Sequence, residues 1–278
     1  MPPQPARLEI ALPRPEPQEP RVMWLNADRA VYSGLLGQPR ERCLGGHAIY
    51  FSLRGSHRVR IADGAWQHSS LSIVPPYVRH GIEASERTIC NLLIEAETLD
   101  ARQLPPPLRG DGGAVHDAPL LERMRDGLAR LLPLLGHHAP GHGVGATDFD
   151  RIFFGEPLRA PALDRRVQAI IDKVKADPSS PSPALRCASD ICLSESRFLH
   201  LFSQETGVPF RRFKTWKRAR AFLGYVTQDM KLTDVALDAG YPDATHFSHS
   251  IRQIYGLTPK SIFAGSRKLT VFAGAGTR

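Results

Sequence analysis

The chain has 278 residues, 42% of them hydrophobic, with a net charge of +8 and a mean hydropathy of −0.26, so it can bury two ordinary cores. No apolar run approaches the 18 residues of a membrane-spanning helix, and the cysteines at 43, 90, 187 and 192 form neither a CxxC pair nor a zinc spacing, which reads as reduced thiols in a cytoplasmic protein. Charge is divided unevenly: residues 159–278 carry 19 Lys+Arg against 10 Asp+Glu, and residues 1–158 carry 17 against 18, so the basicity belongs to the C-terminal part alone.

Residues 1–20 hold seven prolines and no apolar core, and are expected to be a disordered tail rather than a signal peptide. From Val22 to Glu95 the pattern is β. Ile49, Phe51 and Leu53 alternate with Tyr50, Ser52 and Arg54, and Gly55-Ser56 makes a turn. Val59 and Ile61 alternate with Arg58 and Arg60, Asp63-Gly64 is a hairpin signal, and Leu71-Ser72-Ile73-Val74 and Thr88 to Ile94 complete the set. Many short strands with tight turns favour a small barrel or sandwich over residues 21–115. Pro105 to Gly113 reads as a loop into a helical segment, 116–158. There Leu121, Met124, Leu128, Leu131 and Leu135 recur at alternating steps of three and four, a narrow apolar seam that either packs on its own barrel or pairs two copies as a homodimer. Gly136 to Gly143, with His137, His138 and His142, is expected to be a mobile loop rather than a metal site. Phe149 to Phe154 reads as a short helix, Pro157 and Pro161 as an interdomain hinge, and Asp164 to Ala176 as a helix with Val167, Ile170, Ile171 and Val174 on one face.

Residues 159–266 contain a duplication. Lys231 to Tyr241 reads as a short helix capped by Thr233 or Asp234 and ended at Gly240. Pro242-Asp243 opens a second helix through Tyr255, with Phe247, Ile251 and Ile254 on the buried face. Upstream, Cys187-Ala188 and Cys192-Leu193 repeat Val235-Ala236 and Gly240-Tyr241 at an offset of 48, and Phe198, Leu201 and Phe202 line the following helix. Ser196, His200 and Ser203 then map onto Thr245, His249 and Arg252 at an offset of 49. Each copy is a helix-turn-helix. Phe210 to Gln228 between them, 19 residues without proline, would span roughly 28 Å as one helix, against roughly 34 Å between half-sites one DNA turn apart. Its Arg211, Arg212, Lys214, Lys217, Arg218 and Arg220 are suited to flanking phosphates. Residues 267–278 are expected to be a tail.

Asp164 to Phe263 resembles the DNA-binding domain of the AraC/XylS family of bacterial transcription regulators. The resemblance is carried by Leu193-Ser194, Phe202, Glu205-Thr206-Gly207, Arg218, Val235-Ala236, Gly240-Tyr241, Phe247-Ser248 and Tyr255-Gly256-Leu257-Thr258-Pro259. Cys192 stands where that family's first turn usually has glycine, and His200 and His249 where it often has arginine. Ile73 to His80 resembles the second motif of a cupin barrel, the usual sensor domain of such regulators. The fold expected is therefore α+β multidomain: a cupin-like barrel with helices, then an all-α domain with two helix-turn-helix motifs joined by a long linker helix.

The function expected is sequence-specific recognition of double-stranded promoter DNA, two successive major grooves per monomer, under a small-molecule effector bound in the barrel. The DNA-contacting candidates are Ser196, Arg197, Leu199, His200, Ser203, Arg218, Thr245, Ser248, His249 and Arg252. The effector candidates are Trp24, Tyr50, Arg58, Trp66, Tyr77 and His80. His47, His57, His68 and His80 are scattered with no HxH, so no metal or other cofactor is expected, and no paired acid and base gives catalysis an agent. RNA polymerase is a further partner if the protein activates. The rival readings are a cupin-type enzyme with a DNA-binding tail, and an architectural DNA-binding protein without an effector.

Overall fold

The computed structural model describes residues 20–136, 144–226, 228, 230–266 and 269–274. Residues 1–19 of the expected N-terminal tail (1–20) and residues 137–143 of the histidine-rich loop (136–143) lie outside the described residues. The N-terminal half contains β1 (Val22–Leu25), β2 (Arg29–Leu35), β3 (Gly46–Phe51), β4 (His57–Ile61), β5 (Gln67–Ser69), β6 (Leu71–Val74), β7 (His80–Ala84), β8 (Thr88–Glu95) and β9 (Gly113–Val115), then α1 (Ala118–Gly136) and α2 (Ala146–Phe154). The C-terminal half contains α3 (Arg165–Ala176), α4 (Ala184–Asp190), α5 (Glu195–Thr206), α6 (Phe210–Phe222), α7 (Leu232–Asp238), α8 (Ala244–Tyr255), α9 (Pro259–Ser266) and β10 (Thr270–Ala273).

The strands form a seven-stranded sheet in the order β10-β1-β2-β8-β3-β6-β9 and a three-stranded sheet in the order β5-β4-β7. Neighbours are antiparallel except β1 and β10, which pair in parallel with Val22 opposite Thr270. The segment expected as a C-terminal tail thus includes an edge strand of the N-terminal sheet. Edge strands leave unpaired backbone groups, and β10 supplies those of β1 with partners.

Both faces of the large sheet are covered, which is why β3 and β6 are buried at every position despite the alternating pattern in their sequences. One face, with Trp24, Val31, Ile49, Phe51, Ile73, Leu92 and Ile94, packs under Met124, Leu128 and Leu131 of α1 and Phe149 and Phe153 of α2. Trp24 and Phe149 stack at 5.7 Å. The seam read as a candidate dimer contact is therefore turned inward: Met124, Leu128, Leu131 and Leu135 are buried and Leu121 is partly buried against the chain's own sheet. The apolar area that a partner would have covered is already out of water, so this chain's barrel fulfils that demand.

The opposite face, with Leu25, Ala30, Ala48, Tyr50, Val74 and Leu93, joins Val59 and Ile82 of the small sheet, and also Trp216, Ala219 and Phe222 of α6 and Phe247 and Ile251 of α8. The core of the second helix-turn-helix is thus continuous with the sandwich interior. The first head has its own core, built from Val167, Ile170, Ile171 and Val174 of α3, Phe198 and Phe202 of α5, and Phe210 and Phe213 of α6. The linker helix is shorter than its sequence suggests: α6 ends at Phe222 and passes into a 3-10 turn, Leu223–Tyr225, at Gly224. Its 13 residues span about 20 Å rather than 28 Å.

Candidate nucleic-acid interface

The two helix-turn-helix copies superpose in their hydrogen bonds as well as their sequence. Helices α4 and α7 have seven residues each, and α5 and α8 have twelve. In the first turn Cys192 N–H donates to Ser189 O and Leu193 N–H to Ala188 O; in the second Gly240 N–H donates to Leu237 O and Tyr241 N–H to Ala236 O. These are the same two bonds shifted by 48. Both turns need a left-handed residue, with Cys192 at φ 56° and Gly240 at φ 77°. Ala188 and Ala236 are fully buried where the outer helix crosses, since a larger side chain there would hold the helices apart.

The outer helices are capped alike. Ser194 Oγ accepts from Arg197 N–H, and the Asp243 carboxylate accepts from Thr245 and His246 N–H at 2.8 Å, bonds from His246 and then Thr245 that hold its pKa below the usual carboxylate range. The shorter helices differ from expectation: α7 starts after Lys231, with neither Thr233 nor Asp234 as its cap. Gly207 (φ 69°) and Gly256 (φ 71°) end α5 and α8. With Phe198 and Phe202 inward on α5, the candidates Ser196, Arg197, Leu199 and His200 are exposed and Ser203 is half-buried. With Phe247, Ile251 and Ile254 inward on α8, Thr245, His249 and Arg252 are exposed and Ser248 is half-buried. Two polar faces result, each offering hydroxyls and imidazoles to base edges and cations to phosphates.

The linker's cations are largely committed elsewhere. Arg218 donates to the carbonyls of Pro178 and Ser180 at 3.3 Å, and Lys214 to those of Pro181 and Ser182, so both hold the connector between α3 and α4. Arg212 lies over the Tyr77 ring at 5.2 Å and donates to Tyr77 O and Cys43 Sγ. Lys217 and Arg220 are buried at the junction with the sandwich. There Glu95 accepts from Trp216 Nε1 (2.7 Å), Lys217 Nζ (2.5 Å) and Arg220 Nε (3.2 Å), and Glu97 accepts from Lys217 at 2.5 Å. Burial pushes the Glu95 carboxyl up, but Lys217 and Arg220 outweigh it and the net shift is downward; burial lowers Lys217, but Glu95 and Glu97 outweigh it and its pKa is raised. Composition marked these side chains as phosphate contacts because their carboxylate partners lie 120 to 125 residues upstream. One signal was present in the sequence: Glu95 ends an apolar strand and Glu97 follows two residues later.

The six effector candidates do not converge. Trp24 faces α2 on the outer side of the large sheet. Trp66 is sandwiched by the guanidinia of Arg58 (4.8 Å) and Arg60 (4.9 Å) on the small sheet. Tyr77, at φ 61°, lies beneath Arg212 at the domain junction. Tyr50 and His80 do meet inside the sandwich, Oη to Nε2 at 2.9 Å. His80 Nδ1 faces Val78 O at 3.0 Å, and burial followed by the nearby Arg42 charge lowers its pKa to about 3. Arg42 joins this pair and was not singled out by sequence, since a lone arginine in a loop carries no pattern. Among the described residues no cluster of three His, Cys, Asp or Glu side chains has metal-binding geometry.

Residues 187–264 match the helix-turn-helix domain family. Over 109 residues, 38% of the chain, the sequence is 28% identical to the arabinose operon regulatory protein of Escherichia coli (strain K12), and this match spans 37% of that protein's length. In fold the chain is similar to a single-residue variant of apo ToxT from Vibrio cholerae strain SCE256, with a TM-score of 0.58 at 13% identity over 86% of this chain and 98% of that one. It is also similar to unsaturated fatty acid bound wild-type ToxT from the same strain, with a TM-score of 0.52 at 12% identity over 88% and 98%.

Proposed function

We infer that this chain, whose C-terminal part is a helix-turn-helix domain of the AraC type, is a sequence-specific DNA-binding transcription regulator with a small-molecule sensor in its N-terminal sandwich. The observation that carries the reading is the duplicated head: equal helices, equal turns, equal caps, and Ser196, His200 and Ser203 exposed or half-buried where Thr245, His249 and Arg252 stand in the other copy. A single polar helix face is ordinary surface. Two faces matched residue by residue above separate apolar cores are what reading two half-sites requires. Affinity then comes from phosphate contacts, with Arg197 and Arg252 as candidates, and discrimination from Ser196, Leu199, His200, Thr245, Ser248 and His249 at base edges. The buried commitments of Lys217 and Arg220 support a smaller phosphate role for the linker than its charge implied. The fatty acid bound in a ToxT structure supports a small-molecule effector as a class, and the interior around Tyr50 and His80 supports its place. Such a protein works where promoter DNA is, in the cytoplasm.

The test is selection of genomic DNA fragments by the full-length chain at a stated salt concentration. Enrichment of a site with two base clusters about one helical turn apart is expected. His200→Ala and His249→Ala should each weaken that site by about 1–3 kcal/mol while changing random-DNA binding little. Salt-sensitive binding with no preferred sequence would make this an architectural protein instead.

A further inference from the structure

The interior of the sandwich carries a polar row. On the inner face of the large sheet Tyr32 stands opposite Asn91, Asn91 opposite Tyr50, and Tyr50 opposite Ser72, across four adjacent strands. The neighbouring row is apolar: Ala30 opposite Leu93, Leu93 opposite Ala48, and Ala48 opposite Val74. Tyr50 and Ser72 are fully buried, whereas Tyr32 and Asn91 are half-buried, so the row runs from partly exposed side chains into the core. Over it lies Arg42, whose backbone pairs with His80 through Arg42 N–H to His80 O and His80 N–H to Arg42 O, both 2.9 Å.

Arg42 is 9% exposed, and its Nε has no hydrogen-bond partner. Among the described residues no carboxylate forms an ion pair with it, whereas the other buried arginines, Arg29 and Arg220, have Asp150 and Glu95. A buried guanidinium without an anion is costly, and a protein keeps one where something else supplies the charge. The row shows which other groups are free. His80 is neutral and donates Nδ1–H to Val78 O, so its Nε2 accepts the Tyr50 hydroxyl proton. The Tyr50 oxygen is left beside the Arg42 charge and the Asn91 side chain, both of which lower its pKa against the larger upward effect of burial. Asn91 Oδ1 then remains buried with no donor. A cation without a carboxylate and an acceptor without a donor thus both neighbour Tyr50.

We propose that Arg42 and Asn91 form the recognition pair for a small hydroxy-carboxylate effector, its carboxylate on the Arg42 guanidinium and its hydroxyl donating to Asn91 Oδ1. This rests on the sensor reading above and names the ligand class. The same segment connects the site to DNA. Arg40 N–H donates to Gly256 O at 2.9 Å and Cys43 N–H to Ile254 O at 3.0 Å, so the strap that carries Arg42 inward also holds the C-terminal end of α8, the second recognition helix. Filling the site moves the strap, and the strap moves the helix end it grips.

The experiment is thermal unfolding of the full-length chain with lactate and 4-hydroxybenzoate, each beside its uncharged amide. At least one acid is expected to raise the midpoint by about 2 °C or more and its amide not to. Arg42→Lys should need at least tenfold more acid for the same shift, and Asn91→Ala should narrow the preference for 4-hydroxybenzoate over benzoate. Equal shifts in wild type and Arg42→Lys, or no shift with any acid, overturn the proposal. Without ligand, Arg42→Met should leave the midpoint unchanged or raise it by about 2–4 °C, because it removes an unpaired buried charge; a lower midpoint makes Arg42 a structural residue and also overturns it. An uncharged molecule that stabilises wild type and Arg42→Lys alike keeps the sensor reading and discards the anion. Acid-specific stabilisation without sequence preference in DNA selection does the reverse.

Discussion

Cys192 and Gly240 occupy the same place in two copies of one turn, yet they answer to different constraints. A side chain in the left-handed region costs about 1–2 kcal/mol, and Cys192 bears that cost at φ 56° while exposed. Cys192→Gly is therefore expected to stabilise the chain by about 0.5–1 kcal/mol, the gain being reduced by the looser unfolded chain. The caps give a sharper comparison. A Cβ on Gly207 would meet nothing within 4 Å, whereas one on Gly256 would lie 2.3 Å from Arg40 O. Gly207→Ala should thus cost about 1 kcal/mol of backbone strain alone, and Gly256→Ala distinctly more, because the Arg40 strap must also give way. Urea unfolding of the two variants decides it; equal costs would show that the strap yields freely. Sequence shows both caps as glycines after a helix, but only the fold puts a backbone against one of them.

Among the elements, α5 and α8 were legible because amphipathic periodicity and caps are local and the duplication repeats them. The linker α6 was half legible. Its apolar positions Phe210, Phe213, Trp216, Ala219 and Phe222 mark a helix, but its cations read as DNA contacts until the sandwich supplies Glu95 and Glu97. Removing one partner of a buried pair leaves the other charged and unsolvated. Lys217→Met should accordingly destabilise the chain by about 3–5 kcal/mol, and adding Glu95→Gln should recover part of that loss. A double-mutant cycle in denaturant measures this; strictly additive costs would mean that the pair is not coupled. Gly45 belongs to the same junction: a Cβ there would lie 2.3 Å from the Trp216 ring, so the helix can dock only on a glycine.

At the scale of the whole molecule, the sandwich and second head share one core, and the polypeptide returns through β10 to pair with β1. His57 and His80 lie in that shared interior and His47 on the opposite face of the large sheet, beside Arg29, and burial favours the neutral form of all three. Burial lowers His47, His57 and His80 to about 4, 4 and 3, with Arg29 adding to the first and Arg42 to the last. Below the unfolded value of about 6.5 the unfolded chain binds protons that the folded chain refuses, so stability present above that pH is lost as pH falls toward 4. Each histidine contributes about 1.4 kcal/mol per pH unit within that window. Denaturant midpoints at pH 7, 6 and 5 should fall with increasing steepness, before Glu95 and the other carboxylates begin to protonate. A flat profile from pH 7 to 5 would mean that these imidazoles reach solvent.

The amino-acid order by itself determined the β character of Val22 to Glu95, the amphipathic helices α1, α3, α5 and α8, the duplication and the uneven charge, because each of these is written in neighbours a few residues apart; strand β10 and the end of α6 were not. Tertiary structure alone decided which charges are spent and which are free. Lys217 and Arg220 look like Arg197 and Arg252 in the chain, and what separates them is carboxylates 120 to 125 residues away. The same holds for Arg42, which is ordinary in sequence and is singled out only by burial among groups that leave its charge unpaired. Electrostatic free energy depends on distance and exclusion of water, and neither is a property of sequence separation.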